Sequence, residues 1–159
     1  MSELVEKAKL ELKRKSKLKF ICVHGLCGWG SYNLLNKAVP YWGFFEGSIV
    51  KHLTEQGYER YSASVDPYGS AWDRACELYA QLAGTKVDYG KEHSSHTKHG
   101  RYGKDFSKDP LIKDFFDSEI VLIGHSFGGA TVRLFSELLI NGSEAEREAT
   151  DPADLSGFF

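Results

Sequence analysis

A serine with a glycine two residues to either side, Gly124-His125-Ser126-Phe127-Gly128, is the segment of this chain best suited to covalent chemistry. The G-x-S-x-G spacing lets a serine stand on a tight strand-to-helix turn. The strained backbone there needs neighbours without clashing side chains, and the turn lifts Oγ clear of the sheet. It also aims the first amides of the following helix at the place where an oxyanion forms. The flanks suit the motif: Glu119 to Ile123 reads as an apolar strand, and residues 129–140 carry Val132, Leu134, Phe135, Leu138 and Leu139 on a helix that stops at Asn141-Gly142. His24-Gly25-Leu26 is the second piece, at the end of the apolar stretch 18–23 (LKFICV). A backbone N–H from such a loop completes an oxyanion hole, which makes Leu26 and Phe127 the expected amide donors and Ser126 the expected nucleophile.

These residues need a framework. Residues 3–15 space Leu4, Val5, Ala8 and Leu12 as a short amphipathic helix, leading into the basic cluster Lys13, Arg14, Lys15, Lys17 and Lys19. A solvated helix end accounts for that cluster, and a membrane surface or anionic partner is the alternative. After the strand 18–23 comes a Gly- and Trp-rich loop, then a helix over 44–56 with Phe45, Ile49, Val50 and Leu53 on one face. A strand at 58–65 follows, then a turn, then a helix over 71–83 with Trp72, Ala75, Cys76, Tyr79 and Leu82 inward. Residues 84–107 are polar, show little periodicity, and read as a long loop holding three of the six histidines; a short helix is expected over 111–116 and an irregular acidic tail after 143. Alternating strands and helices argue for a parallel α/β sheet of α/β-hydrolase type. Only three strands are evident, so the sheet is expected to be incomplete.

The histidines His93, His96 and His99 in that polar loop suit a metal ion, although a solvated His-Lys loop has the same look. The three cysteines, Cys22, Cys27 and Cys76, have no framework spacing and argue against a disulfide scaffold. A net charge of -2 gives no reason to expect nucleic acid. No run approaches the ~18 apolar residues of a membrane helix, and the N-terminus lacks the ~7–15-residue apolar stretch of an export signal. The compartment is therefore left open.

Val23-His24-Gly25-Leu26, Gly28-Trp29-Gly30, Tyr41-Trp42-Gly43, Ala71-Trp72-Asp73-Arg74-Ala75-Cys76-Glu77, Val87-Asp88-Tyr89-Gly90, the serine motif, Asn141-Gly142-Ser143 and Glu146-Arg147-Glu148 together resemble the thermoalkalophilic bacterial lipases, the zinc-containing triacylglycerol lipases of family I.5. The resemblance spans residues 17–159, leaving 1–16 as a separate N-terminal helix and 84–107 as a zinc-loop insertion. It implies an ester hydrolase acting on acylglycerols, with zinc held by Asp73, His93 and His99. His96 matches no ligand of the family. The family's catalytic Asp and His, its fourth zinc ligand and its calcium ligands would all fall beyond Phe159, and no histidine follows Ser126. The expectation is thus the N-terminal part of a lipase, a truncated chain inactive alone, with a C-terminal half as its natural complement. Two other readings stand beside it. One is a non-catalytic zinc- or partner-binding module, and the other is a Ser-dependent thioesterase or acyltransferase.

Overall fold

The computed structural model describes residues 2–43 and 48–159. In chain order the elements are α1 (Ser2–Lys17), β1 (Leu18–Val23), α2 (Leu35–Ala38), α3 (Ile49–Glu55), β2 (Glu59–Ala63), α4 (Ala71–Ala83), β3 (Lys86–Asp88), α5 (Lys91–Thr97), β4 (Tyr102–Asp105), a 3₁₀ turn (Phe115–Asp117), β5 (Glu119–Gly124), α6 (Phe127–Asn141) and α7 (Glu144–Ala149). Strands β2, β1 and β5 form a parallel sheet in that order. β1 is the centre, and Ile21, Cys22 and Val23 are fully buried. β5 keeps Ile120 to Ile123 only half-buried, because β1 is its sole strand partner among the described residues. The register sets Val23 opposite both Ala63 and Gly124. Three chain segments therefore leave the sheet at one level, which brings the His24 loop beside the serine turn.

α4 and α6 pack on each other and supply a large share of the core: Ala75, Cys76, Leu78, Tyr79, Ala80 and Leu82 from one, Phe135 and Leu138 from the other. Complete burial of a Leu or Phe side chain stabilises by about 1.5–3 kcal/mol, so this pair anchors the fold. α4 starts at a reciprocal capping box between Ser70 and Asp73, and ends at Gly84 with φ +66°. Both ends are those that sequence rules favour.

Three expectations need correcting. The polar stretch 84–107 is an antiparallel hairpin, β3–β4, closed by α5. Its order comes from polar contacts such as Arg101 to both oxygens of Asp88 at 2.8 Å, which leave no apolar period to read. The helix expected over 111–116 is only the 3₁₀ turn. The tail is less irregular than expected: Ser143 caps α7, and although residues 150–159 form no helix or strand, Phe158 and Phe159 are buried in the core. Of the helix expected over 44–56, the described residues hold the shorter α3, which starts at Ile49 with Ser48 as its cap and fully buries none of its residues; Phe45 lies outside the described residues. α1 forms, but Leu4, Val5 and Leu12 are exposed, so its apolar stripe is not part of the core.

Candidate functional site

Ser126 has φ +53° and ψ -124°, a conformation L residues rarely adopt, and its side chain is exposed at the end of β5. Gly124 and Gly128 make that turn possible. A β-carbon on Gly124 would run into the Gly128 backbone, and one on Gly128 would overlap the Val23 carbonyl. The turn is tied to β1 by His125 N–H donating to Val23 O at 3.0 Å, and closed by Gly128 N–H to His125 O at 2.8 Å. Phe127 opens α6, so its N–H is one of the orphan donors of a helix start.

The opposing loop comes equally close. A β-carbon on Gly25 would stand 2.9 Å from Ser126 Cβ, so only glycine allows the two segments to meet. Cys27 N–H donates to Pro67 O at 3.1 Å and Gly28 N–H to Gly25 O at 3.2 Å. Among the described residues the Leu26 and Phe127 amides donate to no protein acceptor. Two side chains that the sequence did not single out hold this arrangement. Tyr41 Oη accepts from Gly25 N–H at 3.0 Å and contacts His125 Nδ1 at 2.7 Å, bridging loop and serine turn. Arg74, fully buried, donates from Nε to Thr131 Oγ1 at 2.9 Å, from Nη1 to Asp66 O at 2.6 Å, and from Nη2 to His24 O. Its guanidinium also lies 5.3 Å from the Phe127 ring centroid.

No imidazole among the described residues hydrogen-bonds Ser126 Oγ. His125 Nδ1 is engaged by Tyr41. His24 is fully buried, with Nδ1 at 2.9 Å from Gly25 O and Nε2 without a partner. Burial pulls the His24 pKa below its ordinary value, with the contact to the Gly25 carbonyl acting the other way and the Arg74 charge adding to the lowering. Beside the turn lies an apolar groove of about 560 Å³, lined by Trp29, Val39, Tyr41, Trp42, Ile49 and His125.

A second cluster stands at the start of α4. Asp73, His93 and His99 each offer a ligand atom, and these atoms lie within 4.8 Å of one another. Asp73 divides its oxygens: Oδ2 accepts from Ser70 Oγ at 2.7 Å, while Oδ1 faces His93 Nε2 at 2.9 Å and His99 Nε2 at 3.3 Å. His99 Nδ1 is 2.9 Å from Gly100 O, a contact that puts its proton on Nδ1 and leaves the Nε2 lone pair free. His93 lies in α5 and stacks on Trp72 at 5.1 Å between centroids. Lys98, at φ +61°, turns the chain back after α5 and delivers His99 to the same point. His96 is exposed and outside the cluster. A cleft of about 390 Å³ borders Asp73 and His99 and is lined further by Asp66, Glu77 and Tyr89. Burial raises the Glu77 pKa.

Comparison with known proteins gives a consistent set of relatives. The profile of a family described as lipase-like, C-terminal domain, matches residues 16–155. Lipase 1 of Staphylococcus aureus is 40% identical over 135 residues, covering 84% of this chain and 20% of that protein. The solved structure of lipase 1 from Pelosinus fermentans superposes with a TM-score of 0.76 at 40% identity, over 91% of this chain and 38% of that one. Staphylococcus hyicus lipase gives 0.77 at 36% identity, with the same coverage. The chain thus spans about a fifth of the length of the curated relatives it matches.

Proposed function

The chain belongs to the lipase-like, C-terminal domain family, and from that premise we propose that it carries the nucleophile and oxyanion-hole part of a triacylglycerol lipase or related carboxylic-ester hydrolase of α/β-hydrolase type. Ser126 is the nucleophile, attacking an ester carbonyl. The Leu26 and Phe127 amides receive the oxyanion. The observation that carries this reading is Ser126 itself: it holds a strained positive φ between two obligatory glycines and faces a loop that approaches within a β-carbon's width. Strain of that kind is kept where a reactive group must be presented. The apolar groove beside His125 suits an acyl chain. Because no imidazole of the described residues reaches Ser126, the general base and its orienting acid come from outside residues 1–159. This chain alone has ester turnover near background.

Asp73, His93 and His99 hold a zinc ion in this reading. Their donors fit it: one carboxylate oxygen free of other bonds, and one imidazole whose tautomer a backbone carbonyl fixes. Zinc would supply structural cross-linking, tying the β3–β4 hairpin to the start of α4. The residues' own part is to converge from α4 and from the α5 segment, with Ser70 holding Asp73 in place.

The test of the nucleophile does not require turnover. A fluorophosphonate probe at alkaline pH, where hydroxide replaces the missing base, should modify Ser126 in preference to other serines, as located by peptide mass spectrometry. Leu26→Pro, which deletes one oxyanion donor, should slow that labelling. Labelling of Ser126 no faster than that of surface serines would favour the second reading, a non-catalytic metal-binding module. The lack of an imidazole on Ser126 is the observation on that side. Preference among acyl and thioester substrates, measured with the complementing base in place, separates lipase from thioesterase.

A further inference from the structure

α5 carries His93 but is poorly equipped to stand alone. It has seven residues, it packs no apolar face into the core, and its N-cap is Gly90, which has no side chain to receive the first amides. Isolated helices of this length are not stable in water. The missing cap arrives from far along the chain. Glu146 of α7 is 1% exposed, and its carboxylate oxygens accept from His93 N–H at 2.7 Å and from Glu92 N–H at 3.0 Å. No Lys or Arg pairs with it among the described residues, so the two amides are what compensate the buried charge. Gly90 makes room for the carboxylate, since a β-carbon there would overlap Glu146 directly. Ser143 in turn caps α7 and fixes Glu146.

We infer that Glu146 is the positioning residue of the metal cluster: by holding the backbone amides of Glu92 and His93 it sets where the His93 imidazole meets Asp73 and His99. This rests on the metal reading above. The His93 ring is constrained from one side by its stack on Trp72 and from below by its own backbone. Only the second constraint involves Glu146. Loosening the backbone leaves the imidazole intact but no longer delivered to one point, and metal affinity falls while ligand identity is unchanged. Outer residues that orient a ligand in this way typically contribute about 10–100-fold in metal affinity.

The experiment uses the 159-residue chain stripped with a chelator. Zn²⁺ is titrated in competition with a chromophoric chelator, and melting is followed with and without Zn²⁺. Variants are Glu146→Gln, Glu146→Ala and Gly90→Ala, the last expelling the carboxylate by a different route. The parent chain should take up one zinc that His93→Ala/His99→Ala does not. Each of the three variants should bind that zinc about 10–100-fold more weakly, and the zinc-induced rise in Tm should shrink with it. Parent and double-histidine chains taking up equal zinc would end the metal reading, and this inference with it. Parent-like affinity in Glu146→Gln and Glu146→Ala would overturn the inference alone. So would apo and zinc-bound Tm values falling by equal amounts, the mark of a merely structural residue. A Glu146→Gln chain that does not melt cooperatively even with zinc would also overturn it, by making Glu146 part of the fold rather than a strut for the site.

Discussion

Replacing Arg74 by Met is the sharpest perturbation of the serine site that leaves the site's own atoms untouched. The side chain is fully buried and its guanidinium serves three acceptors on three segments: the His24 carbonyl, the Asp66 carbonyl and the Thr131 hydroxyl. Thr131 keeps a second bond, donating to Phe127 O at 3.2 Å, so it is not orphaned. The two carbonyls lose this donor, at about 1–3 kcal/mol each when a buried acceptor goes unpaired. Against this, Met need not be stripped of water, whereas burying a guanidinium costs several kcal/mol. Burial lowers the Arg74 pKa, which reports that same desolvation, with Glu77 and Asp66 opposing it. The balance favours a loss of about 2–4 kcal/mol for Arg74→Met, and less for Arg74→Lys, which keeps the charge but not the fork. Urea unfolding with a constant m-value measures it. Hydrogen exchange should also show the Cys27 and Gly28 amides, which bond the Pro67 and Gly25 carbonyls, less protected, since the loop loses its anchor at His24. Arg74→Met as stable as the parent or more so would refute the reasoning. The arginine would then be a dispensable buried charge.

Other expectations follow from the same geometry. Ser126→Gly relieves a left-handed conformation worth about 1–2 kcal/mol, offset by about 0.4–1 kcal/mol of extra chain entropy; a chain less stable than the parent would show that the turn is not strained. Gly128→Ala drives a methyl into the Val23 carbonyl and should cost more than about 3 kcal/mol by denaturant melts, in the range of severe overpacking; a change within experimental error would mean that the turn relaxes freely. Burial holds the His24 pKa below its unfolded value, so the folded chain takes up a proton less readily. Stability is then full above about pH 6.5 and declines as pH falls below it. His24→Asn should flatten that slope between pH 7 and 5, and an unchanged slope would assign it elsewhere. Adding a chelator to the zinc-loaded chain should lower its Tm, and should leave His93→Ala/His99→Ala unaffected.

How far the sequence could be read depended on which force organised each part. β1, β2 and α4 came out within two residues of their bounds because apolar period and end chemistry agree there: Ser70 and Asp73 at one end of α4, Gly84 at the other. The serine turn was legible because its glycines are sterically compelled. The β3–α5–β4 unit was not, since it is assembled from ion pairs, a left-handed Lys98 and a carboxylate from α7, none of which leaves a periodic trace. Two of its histidines, His93 and His99, meet Asp73 of α4, a grouping expected from resemblance rather than from spacing; Asp73 is 20 residues from His93 and nothing local connects them. Arg74 and Glu146 escaped notice for a related reason. A buried charge looks like a surface charge until its acceptors are located, although Gly90 beside a short polar helix hinted that something must approach there.

Asp73 and Arg74 are neighbours in sequence and serve opposite ends of the chemistry. On a helix, consecutive side chains point about 100° apart, following from 3.6 residues per turn. The first turn of α4 can therefore direct a carboxylate outward to His93 and His99 while directing a guanidinium inward to the His24 loop and to α6. The capping box that fixes the helix start sets both at once, because Asp73 Oδ2 bonds Ser70 and Asp73 Oδ1 faces the imidazoles. Ser70 follows the turn carrying Asp66, whose carbonyl is an Arg74 acceptor, and the adjoining Pro67 carbonyl receives Cys27 N–H. One short rigid segment, 66–74, thus references the oxyanion loop and the metal cluster to the same frame. The serine motif needs only glycines and a turn, whereas this segment places two adjacent side chains, Asp73 and Arg74, against two different parts of the chain.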